Sequence, residues 1–187
     1  MCSLSGPTTP FAVAGLAHFH ARKQRWFVMI RPATIHDVNA IKTLAVDLGM
    51  FSSDEVGFVD ETVAGVLDGS LEGHRWLVSE DSVGTLGGAA YYAPEQFSDR
   101  MWNLYFIAAK PGQQVSGIGS DLIGHVEAEL VAHGPDIAQV LIVETSSTEQ
   151  YRRTREFYPK CGFVEEARIR RFYGPDDHKV VFWKSLT

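Results

Sequence analysis

From position 28 on, apolar residues recur in two rhythms, alternation and a three-to-four spacing, and the two mark out separate elements. Val28 to Pro32 reads as a short strand. Thr34 follows as a helix cap, with Asp37 three residues on in an imperfect capping box. Ile35, Val38, Ile41, Leu44, Ala45 and Leu48 then share one helical face, and Gly49 stops it. After a loop from Phe51 to Asp54, Ser53 or Asp54 is placed to cap a second helix that runs to Asp68 and ends at Gly69. Trp76–Glu80 and Thr85–Tyr92 form a hairpin around Asp81–Gly84, and Arg100–Ala109 is the third strand of this meander. Leu122, Ile123, Val126, Leu130 and Val131 make the apolar stripe of a central helix. Gln139–Glu144 is almost wholly apolar, as in a strand buried on both faces. Tyr151–Lys160 is a short basic helix ended by Gly162. Phe163–Tyr173 and Lys179–Trp183 are strands joined by a Gly174–Asp177 turn. The predicted order is β-α-α-β-β-β-α-β-α-β-β.

Length and composition change this picture little. A chain of 187 residues fits one domain with a tail. The start does not read like the rest. Residues 1–28 hold Arg22, Lys23 and Arg25 and no acid, which leaves 14 basic and 23 acidic residues beyond them, a net of −9. So acidic a body is a poor non-specific partner for nucleic acid. The leader fits either a targeting peptide or an upstream start, with Met29 opening the domain; the clean strand-then-cap pattern of MIRPAT favours the second. The expected division is 1–28 as an N-terminal extension and 29–187 as the domain. No apolar run approaches the roughly 18 residues of a membrane span. Cys2 and Cys161 are the only cysteines, and a disulfide between tail and body is not expected, which points to a reducing, cytoplasmic setting.

Candidate chemistry begins at Lys110–Gly134, KPGQQVSGIGSDLIGHVEAELVAHG. An apolar strand, Leu104–Ala109, leads through a glycine-bearing turn into the central helix. The first N–H groups of a helix have no partner within it and sit at its positive end. With Gly117 and Gly119 leaving room for close approach, the turn reads as an anion cradle fit for a phosphate or pyrophosphate. It is not a P-loop, since no Gly-Lys-Ser/Thr follows, and Leu122 stands where a dinucleotide fingerprint needs a third glycine. A plain helix start with tolerated glycines explains the stretch equally well by itself.

The spacing Gln114-x-x-Gly117-x-Gly119 resembles the acetyl-CoA signature of the GCN5-related N-acetyltransferase (GNAT) superfamily. Phe157-Tyr-Pro-Lys-Cys-Gly-Phe163 is similar to the family's segment on the helix after the fifth strand, and Leu104–Pro111 to its fourth strand. The element order is also the family's, over residues 29–187. The resemblance implies an α/β (α+β) fold: a central mixed, mostly antiparallel sheet of six to seven strands, splayed between strands 4 and 5 and flanked by about four helices. It implies an acetyl-CoA-dependent N-acetyltransferase that moves an acetyl group to a primary amine by direct transfer, with acetyl-CoA as co-substrate and no metal. The backbone of Ile107 and Ala109 is expected to pair with pantetheine. Gln114, Val115, Ser116, Gly117, Ile118, Gly119 and Ser120 are expected around the pyrophosphate. Val115 and Ser116 depart from the family's usual glycine and basic residue there, which removes one charge contact to phosphate.

Tyr158 matches the family tyrosine that gives a proton to the departing thiolate, and a phenol of ordinary pKa about 10 suits that task. A packed aromatic is the plain alternative. Glu144, at the end of the fifth strand, is the candidate base, with a structural pairing to Arg152 or Arg155 as the alternative reading. Some relatives carry a carboxylate where this chain has Asn103, and Asn cannot act as a base. Phe51, Asp54, Glu55, Asn103, Tyr105 and Tyr173 are expected to form the acceptor pocket, with Trp102 as a further wall and Asp176 and Asp177 adding acidity that favours a cationic amine. The acceptor is a small-molecule or peptide amine, with no nucleic acid and no membrane as partner; a homodimer is compatible with the sequence. Two other readings stay open: a non-catalytic acyl-CoA-binding sensor module, and a transferase for a larger acyl group. Cys161 sits where the family has an apolar residue and reads as a packing thiol rather than a nucleophile.

Overall fold

The structure, a computed structural model, describes residues 29–110 and 117–187. The expected N-terminal extension lies outside the described residues. Seven strands form one sheet in the order β1-β2-β3-β4-β5-β7-β6. They are β1 (Met29–Pro32), β2 (Arg75–Glu80), β3 (Leu86–Pro94), β4 (Met101–Ala109), β5 (Val140–Ser146), β6 (Val164–Gly174) and β7 (Asp177–Ser185). Every neighbouring pair is antiparallel except β4 and β5, which run parallel. Four helices flank the sheet: α1 (Val38–Asp47), α2 (Gly57–Asp68), α3 (Ile118–Ala132) and α4 (Arg152–Lys160). The predicted fold class, a mixed and mostly antiparallel sheet, is the one found.

Alternation along the strands feeds two cores, one on each face. Leu77, Ala90, Tyr92, Leu104, Leu141, Val143 and Phe182 turn toward α3 and α4, where Leu122, Ile123, Val126, Leu130, Tyr158 and Phe163 meet them. Trp76, Val78, Ala89, Tyr91, Phe106 and Ala108 turn the other way, onto Ile41, Leu44, Val59 and Val63 of α1 and α2. Each fully buried aliphatic side chain contributes about 1.5–3 kcal/mol, so both layers are needed to hold the sheet. The second layer stops at β4. It takes no residue from β5 or β7 among the described residues.

Three local expectations are corrected. Val131 is exposed, because it falls at the margin of the α3 stripe and points past the sheet. Ile35 is exposed too, since Ile35–Asp37 forms a tight 3-10 turn ahead of α1 rather than its first helical turn. Neither Ser53 nor Asp54 caps α2, which starts at Gly57 without a side-chain cap. The loop is tied instead by Glu55, whose carboxylate accepts from the Ser52 N–H and hydroxyl, both at 2.8 Å. The Thr34–Asp37 box does form: Asp37 accepts from the Thr34 N–H at 2.7 Å and also binds Arg31 at 2.8 Å.

At the far side, β6 is an eleven-residue edge strand, exposed along almost its whole length. Glu165, Glu166, Arg168, Arg170 and Arg171 stand along it.

Candidate active site

The site is organised by a parting of two strands. β4 and β5 pair from Met101–Val140 to Leu104–Val143 and no further. Beyond that point β4 continues to Ala109 and β5 to Ser146, each without the other. The register between β3 and β4 shifts where the parting begins: Tyr91 faces Phe106 and Tyr92 faces Leu104, leaving Tyr105 as the extra residue of a bulge. Bulges bend a strand and re-aim side chains, which suits the edge of a site. Ile107 and Ala109 lie on the free stretch of β4, where their backbone groups have no β5 partner.

The N-terminus of α3 stands at the head of this opening. Gly117 precedes the helix with φ +95°, a conformation that an L side chain rarely adopts, and a Cβ there would meet nothing. The N–H groups of the first helical turn, Ile118–Ser120, are free of partners within the helix. The Ile118 side chain is buried in the core, so only its backbone is on offer. Two other glycines set the helix down. A Cβ on Gly88 would lie 2.7 Å from Ile118, and one on Gly119 would lie 3.1 Å from Phe157. The expectation that Gly119 clears space for a ligand is therefore amended: its missing side chain makes room for Phe157. Gln114, Val115 and Ser116 lie outside the described residues.

Tyr158 is 2% exposed, between Phe163 and Phe182. Burial, with a further push from Cys161, raises its phenol above the usual range and keeps it protonated. Phe182 pairs with Val143, the last β5 residue bonded to β4, so the Tyr158 ring is set beside the point of parting. Val143 shares the Tyr158 core, and alternation turns Glu144 to the opposite face. The two predicted catalytic residues thus flank the opening from two sides.

Glu144 is engaged by Lys179, Nζ to Oε2 2.6 Å. The expected arginine partners act elsewhere. Arg152 binds Glu149 and Glu156, and Arg155 donates to the Ser146 and Thr148 carbonyls at 2.7 Å each. Cys161 is half-buried, with its sulfur 3.8 Å from the Ser120 hydroxyl; burial raises its thiol, in keeping with a packing role.

The predicted acceptor residues separate into two groups. Asn103, Tyr105 and Tyr173 gather around the opening. Asn103 is 2% exposed and donates from Nδ2 to Glu95 at 3.2 Å, while its Oδ1 is buried without a partner. Tyr105 is half-exposed and donates its hydroxyl to the same Glu95 oxygen at 3.3 Å. Burial first, then the charges of Glu95 and Glu144, push its phenol up to about 12. Burial and the charges of Glu144 and Asp177 raise Tyr173 as well. Asp177 accepts from the Ser146 hydroxyl at 2.7 Å and the Ser147 N–H at 3.1 Å, tying β7 to the end of β5. The second group does not join them as side chains. Phe51 packs into the α1–α2 core against Phe58 and Phe106. Glu55 is turned onto Ser52, which lowers its pKa, and Asp54 is exposed on the same loop. Trp102 belongs to the α3 core, where its indole N–H donates to the Ile137 carbonyl, so it walls no pocket.

Two residues escaped the sequence reading. Lys179 enters the sequence reading only as the start of a strand, and Glu95 is not singled out there at all. The signal for Glu95 was its place one residue beyond a buried strand, on the hairpin that returns as β4.

Comparison with known proteins agrees with this geometry. Residues 72–165, just over half of the chain, match the family model of the acetyltransferase (GNAT) domain. The chain belongs to the GNAT acetyltransferase family. A structure from Desulfovibrio desulfuricans, described as a GNAT-family acetyltransferase, is 26% identical with TM-score 0.78, covering 86% of this chain and 99% of that one. Two more distant structures share the fold. The yncA protein of Salmonella typhimurium, solved with acetyl-CoA, is 20% identical with TM-score 0.69, over 86% of this chain and 94% of that one. The spermidine N-acetyltransferase of Vibrio cholerae, solved with CoA and spermine, is 17% identical with TM-score 0.67, over 85% and 95%. No curated protein matches the sequence.

Proposed function

We propose that the protein is an acetyl-CoA-dependent N-acetyltransferase that acetylates a primary amine by direct transfer, without an acyl-enzyme. The observation that carries this reading is the parting of β4 and β5 after Leu104–Val143, with the first turn of α3 at its head and Tyr158 beside it. These residues fit the co-substrate. The free backbone of Ile107 and Ala109 suits an extended amide chain, and the N–H groups of Ile118, Gly119 and Ser120 suit its phosphates. When bound, acetyl-CoA supplies the acetyl group as an activated thioester. Tyr158 holds a proton at its phenol oxygen for the leaving sulfur, and its burial keeps that proton in place at neutral pH. Glu144, on the other face, is the group that takes or relays the proton of the incoming amine. Lys179 fixes the orientation of that carboxylate. Cys161 has no part in the transfer.

Acceptors named for relatives include spermidine and aminoglycosides, which supports an amine as the acceptor class here. The experiment is calorimetric titration with acetyl-CoA and CoA, followed by an amine panel read by thiol release. Binding together with amine-dependent release is the expected result. Binding with no release across the panel would move the chain to an acyl-CoA sensor.

A further inference from the structure

The carboxylates near the opening differ in one respect. Glu144 is neutralised by Lys179, Asp177 is held by Ser146 and Ser147, and Glu55 is turned onto Ser52. Glu95, like Asp177, is half-buried and meets no cation among the described residues, but where Asp177 accepts at 2.7 and 3.1 Å, Glu95 accepts only through the longer contacts of the neutral Asn103 amide and Tyr105 hydroxyl, at 3.2 and 3.3 Å. A partly desolvated carboxylate without a counter-charge leaves attraction unspent for a cation. Beside it, the Asn103 carboxamide oxygen is buried and unpartnered, although buried acceptors nearly always find a donor. The same amide binds Glu95 through its nitrogen, so both unmet demands belong to one cluster: the carboxylate asks for positive charge and the amide oxygen for a donor, and an ammonium group offers both.

The cluster stands back from the chemistry. Tyr105, the bulge residue where β4 leaves β5, reaches Glu95 with the tip of its side chain. The span from opening to carboxylate is thus about a tyrosine side chain, comparable to the nitrogen-to-nitrogen length of an extended four-carbon diamine. The α1–α2 layer takes no residue from β5 or β7 among the described residues, and Tyr105 and Tyr173 are half-exposed.

From this we infer that Glu95, with Asn103 Oδ1, holds a second, non-reacting ammonium of a diamine or polyamine acceptor, and so selects it over a monoamine. The inference rests on the amine-acetylating reading above and adds the acceptor's second charge. Glu95 is a binding and specificity residue, distinct from the groups at the reacting atoms. Tyr105 and Asn103 hold its carboxylate in place.

The test is calorimetric titration of the full chain, saturated with CoA, with 1,4-diaminobutane and with n-butylamine, in the wild type, Glu95→Gln and Glu95→Asp. The wild type is expected to bind the diamine at least tenfold more tightly than the monoamine. Glu95→Gln is expected to erase that ratio, and Glu95→Asp to retain part of it, each with wild-type CoA affinity as the sign of an intact fold. Equal binding of the two amines by the wild type, or a ratio that survives in Glu95→Gln, overturns the inference. The wild-type comparison decides even where a variant fails to fold. Absence of thiol release with every amine would instead strike the catalytic reading, while the titration still judges Glu95.

Discussion

The ring of Tyr158 lies 5.2 Å, centroid to centroid, from that of Phe182, and Phe182 is the backbone partner of the last β5 residue still bonded to β4. A proton-bearing side chain is thereby fixed by the same residue that marks where the sheet opens. Tyr158→Phe preserves the ring and its contacts and removes only the hydroxyl. Turnover should fall by about a hundredfold or more, the usual scale for losing a general acid. Acetyl-CoA affinity should stay the same. Steady-state kinetics beside calorimetry checks both, and unchanged turnover would leave Tyr158 as packing alone.

Gly117 holds φ +95° at the entry to α3. Gly117→Val forces a β-branched residue into that conformation, at about 1–3 kcal/mol if the turn is kept. The turn should relax and turn the first N–H groups of α3 away from the opening. Acetyl-CoA binding should weaken about tenfold or more by titration, whereas wild-type affinity would mean those amides do not meet the phosphates.

Glu144 and Lys179 form a 2.6 Å ion pair on the face of β5 opposite Tyr158. Glu144→Gln should lower kcat/KM for amines about tenfold or more, within the range seen for general bases, with acetyl-CoA affinity intact. Lys179→Met leaves the carboxylate but frees it to turn, so it should cost less. If Lys179→Met matches Glu144→Gln, the pair is a strut of the β5–β7 ladder and nothing more.

Asp37 gives a pH signature remote from the site. Hydrogen bonds from Arg31 lead the effects that lower its carboxyl from 3.8 to about 2, outweighing burial and joined by Thr34. A folded value below the unfolded one means the stabilisation is complete above about pH 4 and is lost as pH falls through about 2. Asp37→Asn should therefore cost about 1–2 kcal/mol at neutral pH, and the gap from wild type should close toward pH 2. Denaturant melts across that interval measure the gap; a constant difference would assign the loss to the turn rather than to the charge.

Much of this fold could be read before any coordinates. Ile41, Leu44 and Ala45, or Leu122, Val126 and Leu130, repeat at intervals that only a helix against a sheet explains, and Gly49 and Gly69 stop their helices where expected. Residues at the margin of a stripe, such as Val131 and Ile35, were misread because periodicity carries no information on how far the opposing sheet extends. The opening between β4 and β5 is not written in either strand alone. Leu104–Ala109 and Gln139–Glu144 both look like ordinary buried strands, and only the likeness to a family announced that they separate. Tyr158, Glu144, Asn103 and Tyr105 could be singled out because each sits in or beside a recognisable strand or helix segment. Lys179 and Glu95 were missed because their meaning comes from partners 35 and 8 positions away, Glu144 and Asn103. Sequence spacing does not encode such pairings.

The exposed edge at β6 has its own consequence. An eleven-residue strand bonded to β7 on one side only leaves its outer edge as a template on which another chain can add, and exposed Val164, Ile169 and Phe172 would reward the addition. The acidic and basic side chains between them make most registers of such stacking repulsive or strip charges of water. Those charges act as gatekeepers of colloidal behaviour: neutralising Arg168, Arg170 and Arg171 together should leave the folded site untouched and turn a dispersed protein into one that aggregates with concentration.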